Sequence, residues 1–238
     1  MTNSFAGRTI LITGAGRNIG AHLVSHFVGR GAYVIAATKS TAVEVGENVA
    51  QVDVDLAEVG AGVRLMNDAL ALRPSIDFVI NNAARQDVAL LSHEEPERIA
   101  DLFQVNVASI AEILSTIAKG GTGVESVVNI TSIEALRPRP GHAIYGATKA
   151  ALDALTRSAG VELAPLCRVN GLRLGLIESP GIAQAWPEGV TSWSAHAPLK
   201  RMGQPADITD AIAYLLGATW ATGSILDLDG GIGAVAPW

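Results

Sequence analysis

The stretch from Ile10 to Gly20, Ile-Leu-Ile-Thr-Gly-Ala-Gly-Arg-Asn-Ile-Gly, limits what this chain can fold into more than any other. An apolar run breaks into a glycine-studded turn and an amphipathic segment follows, which predicts strand, turn and helix in that order. A helix opening there presents unpaired backbone N–H groups and the positive end of its dipole. Positions without side chains at Gly14, Gly16 and Gly20 let an anionic group approach the backbone closely. A dinucleotide pyrophosphate is the expected occupant, cradled by Gly14, Gly16, Arg17, Asn18, Ile19 and Gly20. The glycine spacing is G-x-G-x-x-x-G, not the common G-x-G-x-x-G.

Ala21 to Gly31 carries Leu23, Val24, Phe27 and Val28 at helical spacing and leads into the apolar run Tyr33 to Ala37, completing a strand-helix-strand unit. In such a unit an acid near the end of the second strand binds a ribose 2′-hydroxyl, whereas a basic group accommodates a 2′-phosphate. Here the strand ends Thr38-Lys39-Ser40-Thr41, with no acid before Glu44. NADP(H) is therefore favoured over NAD(H), with Thr38, Lys39 and Arg17 in the 2′-phosphate region; the other reading of Lys39 is a solvated loop lysine.

Further along, Thr38 to Ala50 is too short for a full crossover helix. Val49 to Leu56 predicts a strand with Asp53 and Asp55 on one face, either meeting adenine or capping the strand end. Val59 to Leu72 predicts a helix, Ile76 to Ile80 a buried strand, and Glu94 to Lys119 a long helix with Asn106 inside it. An asparagine within an apolar helix is costly unless its amide is satisfied. Ser126 to Ser132 is a strand ending in hydroxyls. Tyr145 and Lys149 stand at i and i+4 on the helix that follows, so both side chains face one way. A neighbouring ammonium, together with the positive nicotinamide of the oxidised complex, favours phenolate over phenol, which predicts that Lys149 and the bound coenzyme lower the pKa of Tyr145. Arg168 to Ile177 predicts a strand, Pro180 to Leu199 an irregular segment holding Trp186 and Trp193, and the chain from about Pro205 a helix before a last strand.

These pieces, in this order, resemble the classical short-chain dehydrogenase/reductase family. Thr13 to Gly20 is close to the family's T-G-x-x-x-G-x-G, with Asn18 where the middle glycine is usual, and asparagine tolerates positive φ. Asn81-Asn82-Ala83-Ala84 matches the strand-end Asn-Asn-Ala-Gly apart from Ala84. Asn106-Val-Ala-Ser matches Asn-Val-x-Ser, and Ser132, Tyr145 and Lys149 fall at the catalytic positions. The match extends through Asn170 and Pro198 to Gly231, while Leu174-Gly175-Leu176-Ile177-Glu178-Ser179 departs from the family's Pro-Gly-x-Ile/Val-x-Thr.

The resemblance implies a single Rossmann-type doubly wound domain over 1–238, a parallel sheet of about seven strands with helices on both faces. The irregular stretch at about 178–200 falls outside the resemblance and reads as a substrate lid with the indoles as apolar walls, or as a surface loop that they anchor to the core or to another subunit. The resemblance also implies hydride transfer between NADP(H) and a small carbonyl/alcohol substrate. Tyr145 is then general acid/base, Ser132 binds the substrate oxygen and Lys149 holds the nicotinamide ribose. Asn106, through its side chain or the backbone it distorts, holds a water linking Lys149 to solvent, or else is an ordinary buried amide bonded to a neighbouring strand. Asp55 and Leu56 would border adenine, Asn82, Ala83 and Ala84 the adenine ribose, and Gly175, Ile177 and Ser179 the carboxamide. A pteridine or cyclic-imine reductase, and a catalytically silent NADP-binding regulator, are the competing readings. The small, apolar face of the Tyr145 helix (Ala150, Ala151, Leu152, Leu155, Ala159) invites a homotetramer or homodimer, or packing on its own sheet.

Composition narrows the rest. With 49% hydrophobic residues in 238, one large core is within reach. A net charge of −6, from 17 basic and 23 acidic residues, without a basic run discounts nucleic acid. No signal layout and no apolar run of about 18 residues is present, so no membrane partner is expected and a cytoplasmic location is. Cys167 has no second cysteine for a disulfide or zinc pair, and no metal is expected. Arg85, Arg137, Arg139 and His142 lie in segments bordering the site mouth. They read either as recognition of an anionic substrate or as exposed loop residues.

Overall fold

The computed structural model describes residues 5–235; residues 1–4, part of the N-terminus read for a signal layout, and residues 236–238 at the end of the expected domain lie outside it. Among the described residues seven strands form one parallel sheet in the order β3-β2-β1-β4-β5-β6-β7. The strands are β1 (Thr9–Thr13), β2 (Tyr33–Thr38), β3 (Val49–Asp53), β4 (Phe78–Asn81), β5 (Ser126–Ser132), β6 (Arg168–Leu174) and β7 (Ile225–Leu228). The order reverses between β1 and β4. In an open parallel sheet that switch point leaves a crevice beyond the strand ends.

Alternation along the strands sends successive side chains to opposite faces. Ile10, Ile12, Val34, Ala36, Val128 and Leu172 pack with Leu23 and Phe27 of α1 (Asn18–Gly29) and with Ile208 and Ile212 of the later helix Pro205–Gly217. Leu11, Ile35, Val79, Val127 and Val169 face the other way. They meet Leu65 and Met66 of α2 (Ala61–Leu72), together with Ile113, Ile117 and Leu152 from two further helices. Each such fully buried aliphatic side chain contributes about 1.5–3 kcal/mol. The doubly wound architecture with helices on both faces is as the resemblance implies.

Three boundaries differ from expectation. Residues 39–48 hold no helix, as their shortness predicts, but β3 ends at Asp53, so Asp55 lies past the strand and does not share a strand face with Asp53. The expected helix 94–119 is α3 (Pro96–Phe103) and α4 (Ser109–Ala118) joined through a π turn, Gln104–Ala108, centred on Asn106. The supposedly irregular 180–199 folds as α6 (Ile182–Ala185) and α7 (Pro187–His196). Pro187 at the first position presets the helical φ of α7, and Gly189 is the only fully buried residue of that helix, which is why no periodicity announced it.

The longest helix, α5 (Ala143–Glu162), carries the candidate chemistry, and buried polar contacts fix it. Asn81 donates to Asn129, Asn129 to Thr156, and Thr156 to the Leu152 carbonyl, tying β4, β5 and α5 together. Asp153 of α5 accepts from Arg173 of β6 at 2.6 and 3.1 Å. The helix after α7 is α8 (Pro205–Gly217), capped reciprocally by Gln204 and Asp207.

Candidate active site

At the switch point a cleft of about 920 Å³ opens between the β1 turn, the end of β2, residues 54–57 and residues 82–87. Gly14 sits at φ +64°, and a β-carbon there would come within 2.8 Å of the Ala83 backbone; on Gly20 it would come within 2.0 Å of the Gly14 carbonyl oxygen. Asn18 takes φ +48°, the left-handed conformation that the missing family glycine would supply. The first turn of α1 has neither a side-chain cap nor an acid, so its N–H groups and dipole face the cleft unopposed, beside Arg17. Thr13 closes the other side: its hydroxyl accepts from Asn82 and Ala83 N–H, while the Asn82 amide donates to the Thr13 and Gly14 carbonyls.

Gly14, Gly16, Arg17, Asn18, Ile19, Gly20, Thr38, Lys39, Asp55, Leu56, Asn82, Ala83 and Ala84 all line this cleft. Thr38 is buried with its hydroxyl unpartnered, so Lys39 is the side chain of that strand end that reaches outward. Its ammonium meets the Asp55 carboxylate at 2.7 Å, which together with the Ala57 N–H holds the Asp55 carboxyl below its usual range.

Ser132, Tyr145 and Lys149 lie outside the cleft lining, at the end of β5 and on the facing side of α5. Ser132 hydrogen-bonds the Tyr145 phenol, and Lys149 Nζ donates to the Ile130 carbonyl at 3.0 Å with its charge 5.7 Å from the centre of the Tyr145 ring. Burial and the nearby Glu134 carboxylate push the phenol up to about 12, with the Ser132 bond opposing. Burial brings Lys149 down to about 8, against the pull of Asp153. The expectation that Lys149 lowers the tyrosine pKa is therefore not met by the protein's own groups: the ammonium is spent on a backbone carbonyl, and burial dominates at the phenol.

Asn106 is wholly buried in the π turn, where its amide accepts from Arg85 N–H at 2.8 Å and donates to the Arg85 carbonyl and the Thr148 hydroxyl at 2.9 and 3.0 Å. The side chain is thus fully used in joining segment 85 to α5. Gly175, Ile177 and Ser179 are a second departure from the expected single site. None lines the cleft; the Trp193 ring covers Gly175, and Ile177 bridges Gly203 beyond the end of β6.

The cations at the mouth are likewise committed within the chain. Arg85 pairs with Asp87 and Asp101, Arg137 donates to the Gly233 carbonyl, and Arg139 approaches Glu134 at 3.5 Å while lying over the Trp186 ring at 4.2 Å. His142 faces Glu134 at 2.9 Å. The anionic-substrate reading loses its support, because each of these charges already has a partner.

The family model described as enoyl-(acyl carrier protein) reductase matches residues 14–233. L-xylulose reductase from Bos taurus is 32% identical over 241 residues, covering 95% of this chain and 96% of the relative. The chain belongs to the short-chain dehydrogenase/reductase family. It is an oxidoreductase by that membership. Among solved structures of the same architecture, a gluconate 5-dehydrogenase from Burkholderia cenocepacia in complex with NADP and tartrate is similar at TM-score 0.85 and 25% identity, covering 99% of each chain. A 3-ketoacyl-(acyl-carrier-protein) reductase from Brucella melitensis complexed with NADH has TM-score 0.85 and 28% identity, covering 97% of this chain and 100% of that one.

Within this short-chain dehydrogenase/reductase, sequence reasoning overlooked Glu134. Its only signal was an acid two residues after Ser132 in an otherwise apolar segment. Its N–H donates to Ser132 Oγ at 3.2 Å, and its carbonyl sits where a β-carbon on Gly146 would come within 2.9 Å, which locks residue 134 against α5.

Proposed function

We propose that this oxidoreductase transfers a hydride reversibly between NADP(H) and a small carbonyl/alcohol substrate. The observation that carries the reading is the meeting of Ser132, Tyr145 and Lys149, from two different elements, at the β5 end beside the cleft. The glycine cradle, the uncapped start of α1 and Arg17 fit a pyrophosphate, and Lys39 with no acid before Glu44 fits a 2′-phosphate. Asp55 and Leu56 would border adenine, and Asn82 to Ala84 its ribose. Gly175, Ile177 and Ser179 would approach the carboxamide only from their own side of the lid, the segment of about 178–200.

The nicotinamide coenzyme supplies the hydride acceptor or donor. Ser132 then holds the substrate oxygen, and Tyr145 gives that oxygen a proton in reduction and takes one in oxidation. Because the protein's own groups favour phenol, Tyr145 is prepared as an acid, which suits carbonyl reduction. Asn106 holds the π turn against α5, and with its side chain engaged, the backbone it distorts would hold the water that links Lys149 to solvent. A homotetramer or homodimer through the outward face of α5, and a cytoplasmic location, complete the reading; among the described residues no helix is long and apolar enough to cross a membrane.

Tyr145→Phe tests it, with NADPH consumption followed over ketones, aldehydes and cyclic imines. The variant should bind NADPH as the wild type does and lose roughly 10²- to 10⁴-fold in kcat. Turnover of the best substrate at near wild-type rate would overturn the acid–base assignment and require another proton source at the transferring oxygen.

A further inference from the structure

Glu134 and His142 are both more than nine-tenths buried, and Glu134 Oε2 and His142 Nδ1 stand 2.9 Å apart with neither atom making an aligned hydrogen bond. The pair lies beside Tyr145: the His142 ring meets the tyrosine ring edge to face at 6.2 Å, and Glu134 follows the Ser132 that bonds the phenol. Arg139 reaches the other carboxylate oxygen from the same loop. A buried carboxylate–imidazole contact without an aligned hydrogen bond is weak evidence for stability, since desolvation offsets most of its attraction. Nothing in the hydride-transfer mechanism uses it.

We propose that Glu134, held between His142 and Arg139, is a positioning group for the Tyr145 hydroxyl. A carboxylate beside the phenol favours its neutral form, and the Arg139 cation that shares the carboxylate tempers the effect. The other charges around the pair are Lys149 from α5, Arg139 over Trp186 of the lid, and the Asp87, Glu94 and Arg98 ion cluster, whose neighbouring Val88 packs on Gly141. Of these Lys149 is engaged by the Ile130 carbonyl, while Arg139 acts on Glu134 and links it to Trp186 at the start of α7. A substrate that moves Trp186 would thereby change the acidity of Tyr145. The inference rests on Tyr145 as the acid–base group, so its test reads the phenol separately from turnover.

Tyr145 is titrated by NMR of tyrosine labelled at the ζ-carbon, in the free enzyme and with NADP⁺, and assigned by its loss in Tyr145→Phe. Glu134→Gln should move the titration downward by about one pH unit, with Glu134→Asp restoring most of the shift. Arg139→Ala, at a partly exposed side chain, should move it upward and carries the test alone if Glu134→Gln does not fold. An unmoved titration in whichever of these folds overturns the proposal. The acidic limb of kcat for alcohol oxidation should follow the titration. If the titration moves and the limb does not, the pair stands and the acid–base role of Tyr145 is what fails.

Discussion

Replacing Lys149 with methionine should change how stability depends on pH, independently of any turnover. The ammonium is 2% exposed, and burial lowers its pKa from 10.5 to about 8. Between those two values the unfolded chain holds more protons than the folded one, so stability rises with pH across that window. A difference of about 2.5 units at about 1.4 kcal/mol per unit sets an upper value of roughly 3 to 4 kcal/mol. Cys167 and Tyr145 act in the opposite sense. Burial raises the thiol from 9.0 to about 12 and the phenol from 10.0 to about 12, so the folded chain holds the extra protons and their contribution is lost as pH climbs through that range. The wild type should therefore gain stability above about pH 8 and lose it again above about pH 9 to 10. Lys149→Met keeps the apolar stem and removes only the rising limb. Urea unfolding of both proteins from about pH 7 to about pH 10 gives a difference in which the thiol and phenol cancel, and that difference should shift in favour of the wild type by about 2 kcal/mol. Parallel curves would show that Lys149 is not held in a desolvated site and would refute the account of its burial.

Asp55→Asn frees Lys39 from its 2.7 Å partner and removes a carboxylate that would repel a 2′-phosphate. Because Lys39 is largely exposed the gain is screened, and calorimetry should show adenosine 2′,5′-bisphosphate gaining about three- to tenfold in affinity relative to 5′-AMP, whose adenine Asp55 would equally border; equal changes for both would sink the reading. Asn106→Ala leaves the Arg85 N–H and carbonyl and the Thr148 hydroxyl without their buried partner, and should cost about 2–4 kcal/mol in chemical denaturation. A loss under about 1 kcal/mol would mean that the π turn does not depend on this amide.

Most of the fold was legible because it is written in local, periodic signals. The strand-turn-helix at Ile10 to Gly20, the short link after Thr38 and the positive φ at Asn18 all follow from residues within a few positions of one another. What was not legible depends on partners distant in sequence. The π turn exists where Asn106 bonds the backbone of Arg85 and the hydroxyl of Thr148, and neither contact leaves a periodic trace. Helices α6 and α7 are largely exposed, so propensity and Pro187 shape them without an apolar stripe. Glu134 gives no sign of its burial, because only the fold brings His142 and Arg139 around it.

The site also explains why α5 is so heavily anchored. Lys149, Tyr145 and Glu134 each lie in surroundings poorer in water than an ionised group prefers, so the segment that carries them is destabilising on its own account. Binding α5 by Thr156 to Asn129, by Thr148 to Asn106, by Asp153 to Arg173 and by Lys149 to the Ile130 carbonyl offsets that penalty with contacts on both flanking strands and the π turn. It also removes the freedom by which the tyrosine would otherwise drift from Ser132. The same contacts therefore hold the fold and aim the phenol, so loosening any one of them should lower stability and turnover together, whereas removing the phenolic hydroxyl alone should lower turnover only.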